Sequence, residues 1–154
     1  MKRKWMFLAA AVSVASLLLA GPVLAGKKED AKALVNQAVA MAEKQGVDAA
    51  VEAVKDKNGP FVKDDLYVFA GTTKKVELIA HPIKPVLVGK DMGKMKDVKG
   101  KYFFVEFMNT AKGPGEGWVE YWWAKPGEKK PSPKNTYVKR VPGEEVWFAA
   151  GYYK

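Results

Sequence analysis

The sequence predicts an α+β domain in which N-terminal helices pack on a single antiparallel sheet of about five strands. Apolar residues recur at helical spacing over the first part of the chain that follows residue 28. Beyond residue 65 the period changes to two, with β-branched and aromatic side chains. The last third then carries three aromatic segments separated by turn signals, and it holds four of the five tryptophans.

From Glu29 to Glu43 the apolar positions Ala31, Leu34, Val35, Ala38, Val39, Met41 and Ala42 define one face of a helix, which Gln45-Gly46 ends. Asp48 opens a second short helix with Ala50, Val51 and Val54 as its stripe, stopped by Asn58-Gly59-Pro60. Leu66–Ala70, the turn Gly71-Thr72-Thr73-Lys74 and Val76–Ala80 read as a hairpin. His81-Pro82 and Lys84-Pro85 break the ladder, because proline has no N–H to donate. Pro82 to Lys101 reads as an irregular segment crossing the sheet. Tyr102 to Lys112 suits a buried strand or a helix, and its length together with Gly113-Pro114-Gly115 leans toward a helix. Three strands, near Gly117–Ala124, Lys134–Val141 and Glu145–Tyr153, close the chain as an antiparallel meander.

The N-terminus has the pattern of an export signal. Met1-Lys2-Arg3-Lys4 is a basic start, Trp5 to Ala20 is apolar, and Val23 and Ala25 stand at −3 and −1 of a cleavage site before Gly26. The apolar run is shorter than the ~20 residues of a spanning helix, so an uncleaved anchor is the less favoured alternative. Residues 1–25 are thus expected to be a signal peptide, and 26–154 a single domain, periplasmic or secreted, with no membrane span after cleavage. The chain has no cysteine, which excludes disulfides, thiol chemistry and thiolate metal sites.

Net charge is +9 for the whole chain, and loss of Lys2, Arg3 and Lys4 leaves +6, with Arg140 the only arginine beyond the signal. Scattered lysine without arginine clusters argues against nucleic acid as a partner. One histidine, His81, and one serine in the exported part, Ser132 between two prolines, nearly exclude triad chemistry. A single histidine also makes a transition-metal centre improbable, and no glycine-rich phosphate loop opens a helix. The carboxylate pairs Asp64/Asp65, Glu116/Glu120 and Glu144/Glu145 have duller explanations in turns and at a strand entrance. No catalytic residue, metal ligand or cofactor is expected, and the chain reads as a non-enzyme.

The aromatic strands describe either a heavily packed sheet or a sheet with an aromatic-lined cavity. A small anion in such a cavity needs a cationic or N–H donor. Lys134, Lys139 and Arg140 on the second meander strand are the best-placed cations, Tyr121 and Tyr137 offer hydroxyls, and Trp123 and Phe69 shape the walls. Strand alternation leaves open which face carries the pocket. The face of Tyr121, Trp123 and Tyr137 is favoured because it joins aromatics to a lysine. His81 before Pro82 reads either as a turn residue or as a ligand contact, and Arg140 either as a site cation or as a solvated charge on an edge strand.

Ala80-His81-Pro82, Leu87-Val88-Gly89-Lys90, Gly117-Trp118-Val119-Glu120-Tyr121-Trp122-Trp123, Pro133-Lys134 with Tyr137-Val138-Lys139, and Trp147 with Gly151-Tyr152 together resemble the single Cache domain family, type 2. The resemblance spans roughly Leu34 to Tyr153. It implies an extracytoplasmic sensing domain with a PAS-like sheet, an N-terminal helix against it, and a pocket for a small organic molecule, often a short carboxylate. Members usually sit on chemoreceptors or sensor kinases. Because no transmembrane or signalling segment follows the domain here, the expected role is an exported sensory module that acts in signal transduction through a membrane receptor or sensor kinase. The alternative is a lysine-rich envelope protein that binds an anionic polymer or membrane surface.

Overall fold

The computed structural model describes residues 22–154. The expected signal peptide lies outside the described residues up to Gly21. From Pro22 onward the chain is helical.

Helix α1 spans Pro22–Gln45 and buries Ala31, Leu34, Val35, Ala38, Val39 and Ala42. Its alanines allow a close approach to the sheet. It ends at Gly46, whose φ of 95° leaves the helical region while its N–H still reaches Ala42 O at 3.0 Å. Helix α2, Val47–Lys55, follows at once and adds Ala50, Val51 and Val54 to the same core.

Strand β1 (Val62–Lys63) is joined to β2 (Leu66–Thr72) by Asp64-Asp65, and Asp64 takes a left-handed φ of 54°. Strand β3 (Leu78–Ala80) also pairs with β2, across a register shift between Ala70 and Gly71. Strand β3 begins at Leu78 rather than at the expected Val76, and β2 runs on through Thr72 by pairing with β6. The segment from His81 to Lys101 crosses the sheet, with one 3-10 turn at Pro85–Leu87. Helix α3, Phe103–Lys112, follows, as the length of that segment suggests.

Strands β4 (Glu116–Ala124), β5 (Pro131–Arg140) and β6 (Val146–Tyr153) form the meander. The sheet order is β1-β2-β6-β5-β4, with β3 beside β2, and every pairing is antiparallel. The free side of β4 is partly covered, because Asp97 of the crossing segment accepts a hydrogen bond from Trp122 N at 3.0 Å.

Period two divides the strands between two cores. Val68, Ala70, Tyr137, Phe148 and Ala150 meet α1 and α2 on one face. Tyr67, Phe69, Val119, Tyr121, Val138, Trp147 and Ala149 meet α3 and the crossing segment on the other. The α3 face holds the aromatic stacking: Phe103 lies parallel to Tyr121 at 4.5 Å, and Phe107 contacts Phe69 and Trp147.

Two glycines make that face possible. The Trp147 ring lies directly over Gly71, and its Nε1–H donates to Thr72 O at 3.2 Å. Gly151 stands opposite Thr136, whose backbone and hydroxyl fill the space of a side chain. Gly71→Ala and Gly151→Ala are each expected to cost about 1–3 kcal/mol by forcing these neighbours apart. Urea unfolding checks this, and full stability in both variants would refute the packing argument.

Candidate functional site

Lys134 is the most unusual residue of the α3 face. On β5 it pairs with Tyr121 of β4 on one side and Tyr153 of β6 on the other, so its side chain rises from the middle of the sheet. The residue is 0% exposed, and Nζ has no hydrogen-bond partner. Nζ lies 4.0 Å from the centre of the Tyr67 ring and 4.8 Å from that of Tyr153. Burial pushes its pKa down; Tyr67 and Asp65 oppose the shift, and the positive charge of Lys84 adds to it. Two aromatic faces stabilise a desolvated ammonium by about 2 kcal/mol each, yet they offer no counter-charge and no acceptor. Removing an ion from water costs several kcal/mol, so the amine is costly to keep here.

His81 follows β3 and packs in the same cluster. Its ring stacks on Phe69 at 5.6 Å and lies 5.2 Å from Tyr67. Nδ1 accepts hydrogen bonds from Ile83 N (3.3 Å) and Lys84 N (3.0 Å). With Nδ1 occupied as an acceptor, the ring proton belongs on Nε2, and the imidazole presents a neutral N–H donor. Burial, reinforced by the positive charges of Lys134 and Lys84, pushes its pKa from 6.5 to about 3. His81 is therefore both the turn residue and a member of the buried cluster.

The remaining walls are tyrosine and tryptophan. Thr136 Oγ1 donates to the Tyr121 hydroxyl at 3.3 Å, and Tyr153 donates to Ala124 O at 2.9 Å. Burial raises the pKa of both phenols, so they remain neutral. Trp123 packs edge-on against Phe103 and Phe104, and Lys84 lies over its ring at 4.2 Å. This contact ties the turn after His81 to β4.

Of the residues singled out in the sequence, Phe69, His81, Tyr121, Trp123 and Lys134 meet on the α3 face. Tyr137 and Lys139 do not, and Arg140, although on that face by register, sits at the far end of β5 opposite Trp147, away from Lys134. The expectation that Tyr137 shares a face with Tyr121 is corrected by the strand register, which pairs Trp118 with Tyr137 and Tyr121 with Lys134. Tyr137 instead faces α1 and donates to Glu116 Oε2 at 2.7 Å. Lys139 Nζ donates to Asn36 Oδ1 of α1 at 3.0 Å and lies 3.6 Å from Glu116. Arg140 bonds the β5–β6 turn through Glu145 Oε1 at 3.1 Å. Tyr67, Tyr153 and Lys84 were missed. Tyr67 is two residues before Phe69, and that alternation was its available signal.

An open groove of about 510 Å³ lies elsewhere, between α1 and the β1–β2 turn. It is lined by both lysines (Lys27, Lys63) and aspartates (Asp30, Asp64, Asp65). The amine of Lys134 differs from these side chains in being fully buried, and it has no hydrogen-bond partner. Among the described residues, no group of three or more His, Asp or Glu side chains is placed to hold a metal ion.

The His81 environment has a consequence for acid stability. Because the folded-state pKa lies below the unfolded value, the unfolded chain binds a proton that the folded chain refuses as pH falls from about 6.5 toward 3. Stability should drop across that window by about 1.4 kcal/mol per unit. In His81→Asn, whose amide oxygen can still accept from the turn, the loss between about pH 6.5 and 4.5 should shrink by roughly 2 kcal/mol. Urea unfolding at the two pH values checks this, and an unchanged acid sensitivity would contradict it.

Among the described residues no helix is long and apolar enough to cross a membrane. A family model described as Cache domain matches residues 27–154. The chain is 28% identical to the methyl-accepting chemotaxis protein McpP of Pseudomonas putida, over 90% of this chain and 28% of that receptor, so it spans little more than a quarter of the relative's length. Among solved structures, a periplasmic sensor domain of a chemotaxis protein is 28% identical with a TM-score of 0.67, covering 86% of this chain and 99% of that one. A Cache chemosensory domain solved to explain carboxylic acid recognition is 27% identical with a TM-score of 0.69, covering 85% and 95%. A methyl-accepting chemotaxis protein from Vibrio parahaemolyticus shares the fold at a TM-score of 0.70 over 85% of this chain and 90% of that one, at 24% identity. With the family match running from residue 27, within α1, to the C-terminal residue, and with an N-terminal helix against the sheet as the sequence resemblance implied, the chain belongs to the Cache domain family.

Proposed function

We propose that this chain is an exported sensory module that binds a short carboxylate or an amino-acid-like molecule at Lys134 and acts through a membrane receptor or sensor kinase. The observation that carries the reading is the fully buried Lys134 amine with no hydrogen-bond partner. A fold keeps such a group only where something compensates its cost, and a ligand carboxylate supplies both the counter-charge and the acceptor. The solved relative described as recognising a carboxylic acid supports the same chemistry.

In this reading Lys134 pairs with the carboxylate, the Nε2–H of His81 donates a second hydrogen bond, and the Tyr121 hydroxyl a third. Phe69, Tyr67, Tyr153 and Trp123 enclose the apolar part of the ligand. No step of bond making is involved, and residues 1–25 direct export.

The lysine-surface alternative predicts cations gathered on one side. Instead, Lys28 and Lys32 lie over Trp118 and Tyr137 near α1, Lys96 and Lys99 over Tyr102 and Trp122 around the crossing segment, and Lys125 over Tyr153. That spread favours the buried site.

Thermal unfolding with a panel of small organic acids tests the proposal. A ligand at 100 times its Kd stabilises by about 2.7 kcal/mol. Lys134→Met should abolish the carboxylate-induced shift while raising the stability of the ligand-free protein by about 1–4 kcal/mol, because an unpaired buried amine is replaced by an apolar chain of similar length. A carboxylate shift that survives in Lys134→Met would defeat the proposal.

Tyr137→Phe behaves differently. It should cost about 1–2 kcal/mol of stability through the lost Glu116 bond and leave carboxylate affinity within about twofold. Calorimetric titration reads the affinity, and a tenfold loss would return Tyr137 to the site.

A further inference from the structure

Resting on the carboxylate reading of Lys134, we infer that the site takes its ligand together with a proton, so that what enters is in effect the acid rather than the anion alone. The geometry behind this is the ligand-free enclosure of Nζ. No carboxylate lies within ion-pair distance, no hydrogen bond of good geometry holds Nζ although the Tyr67 hydroxyl lies near enough to favour its charge, and the residue is fully buried. A lysine amine so placed rests as the neutral base, because it can shed its charge at less cost than it can carry it. A bound carboxylate reverses that balance by supplying a counter-ion, and the amine then holds a proton.

Every titratable or charged neighbour has a place in this account. From β2, Tyr67 presents its ring face, and Asp65 at the start of the strand is a half-buried anion that favours the charged amine. From β6, Tyr153 presents the second ring and donates its own hydroxyl proton to Ala124 O. From β4, Tyr121 is a buried phenol that accepts from Thr136. From the turn after β3, His81 and Lys84 complete the set: the imidazole uses Nδ1 as an acceptor, and the Lys84 cation rests on Trp123. Lys84 adds positive charge near Lys134 and so favours the neutral amine before the ligand arrives.

His81 borders the same amine and is the other group of the cluster that could take up a proton. The chain contains one histidine, so its ring nitrogens give a single, unambiguous set of signals in NMR. Its turn bonds predict that it stays the neutral Nε2–H tautomer when ligand binds.

The experiment is calorimetric titration of the full chain with acetate, propionate, butyrate and succinate, each in two buffers of different ionisation enthalpy at one pH. The heats should differ between buffers by an amount that corresponds to uptake of about one proton per ligand. Across the pH range where uptake occurs, Kd should weaken by roughly tenfold per unit rise in pH. The histidine ring nitrogens should keep their neutral pattern throughout. Binding with identical heats in both buffers and a flat pH profile would overturn the proton inference and leave the carboxylate site standing. Uptake accompanied by conversion of His81 to imidazolium would overturn the assignment to Lys134. No binding heat with any of the four acids, and no thermal shift, would instead count against the carboxylate reading itself.

Discussion

Strand β5 runs between β4 and β6 with pairing on both sides, and the register of those two ladders determines what the site contains. Side chains on neighbouring strands share a face only if their positions are paired or separated by an even number of steps. Tyr121, Lys134 and Tyr153 are in register across three strands, which fixes one amine between two tyrosines. A slip of one residue would exchange Lys134 for Asn135 or Pro133 on that face and send the amine toward α1. The glycines at 71 and 151 serve the same arrangement, since each yields the volume that Trp147 or Thr136 occupies.

The aromatic strands first posed a choice between a packed sheet and a lined cavity, and the α3 face changes in polarity from one end to the other. Toward Trp147 the phenylalanines of α3 fill the space and the stacking is wholly apolar. Toward Lys134 the rings carry hydroxyls or a ring N–H, and they surround a base with no internal partner. Packing at the first end makes the second rigid. Burial then acts in the same direction on the bases and in the opposite direction on the phenols: it favours neutral lysine and histidine and neutral tyrosine. The ligand-free cluster is thus suited to having no net charge until an anion arrives.

Much of the fold was legible because its signals are local. The alanine-rich stripe of α1, the stop at Gly46, the hairpin and the three closing strands each follow from spacing within one segment. Strand β1 was not legible, since two residues carry no period, and the register shift between Ala70 and Gly71 has no sequence signature. The site was half legible. Lys134, Tyr121, Trp123, Phe69 and His81 are residue types that an enclosed anion would require, and they do meet. Grouping Tyr137 and Lys139 with them failed because alternation within a strand says nothing about the offset between strands, and that offset places Tyr137 opposite Trp118.

That error also separates two lysines that look equivalent in the sequence. Lys134 and Lys139 lie five residues apart on one strand, and so on opposite faces. Lys139 keeps about a third of its side chain exposed, with Asn36 on α1 and Glu116 on β4 as partners, so water and a carboxylate already satisfy its charge. Replacing it would remove a tether between α1 and the sheet. Lys134 is fully buried with no hydrogen-bond partner at Nζ, so its charged form is disfavoured. Net charge and lysine count treat the two alike. The difference lies in desolvation, which leaves the charge of one lysine satisfied at the surface and disfavours the charge of the other in the core.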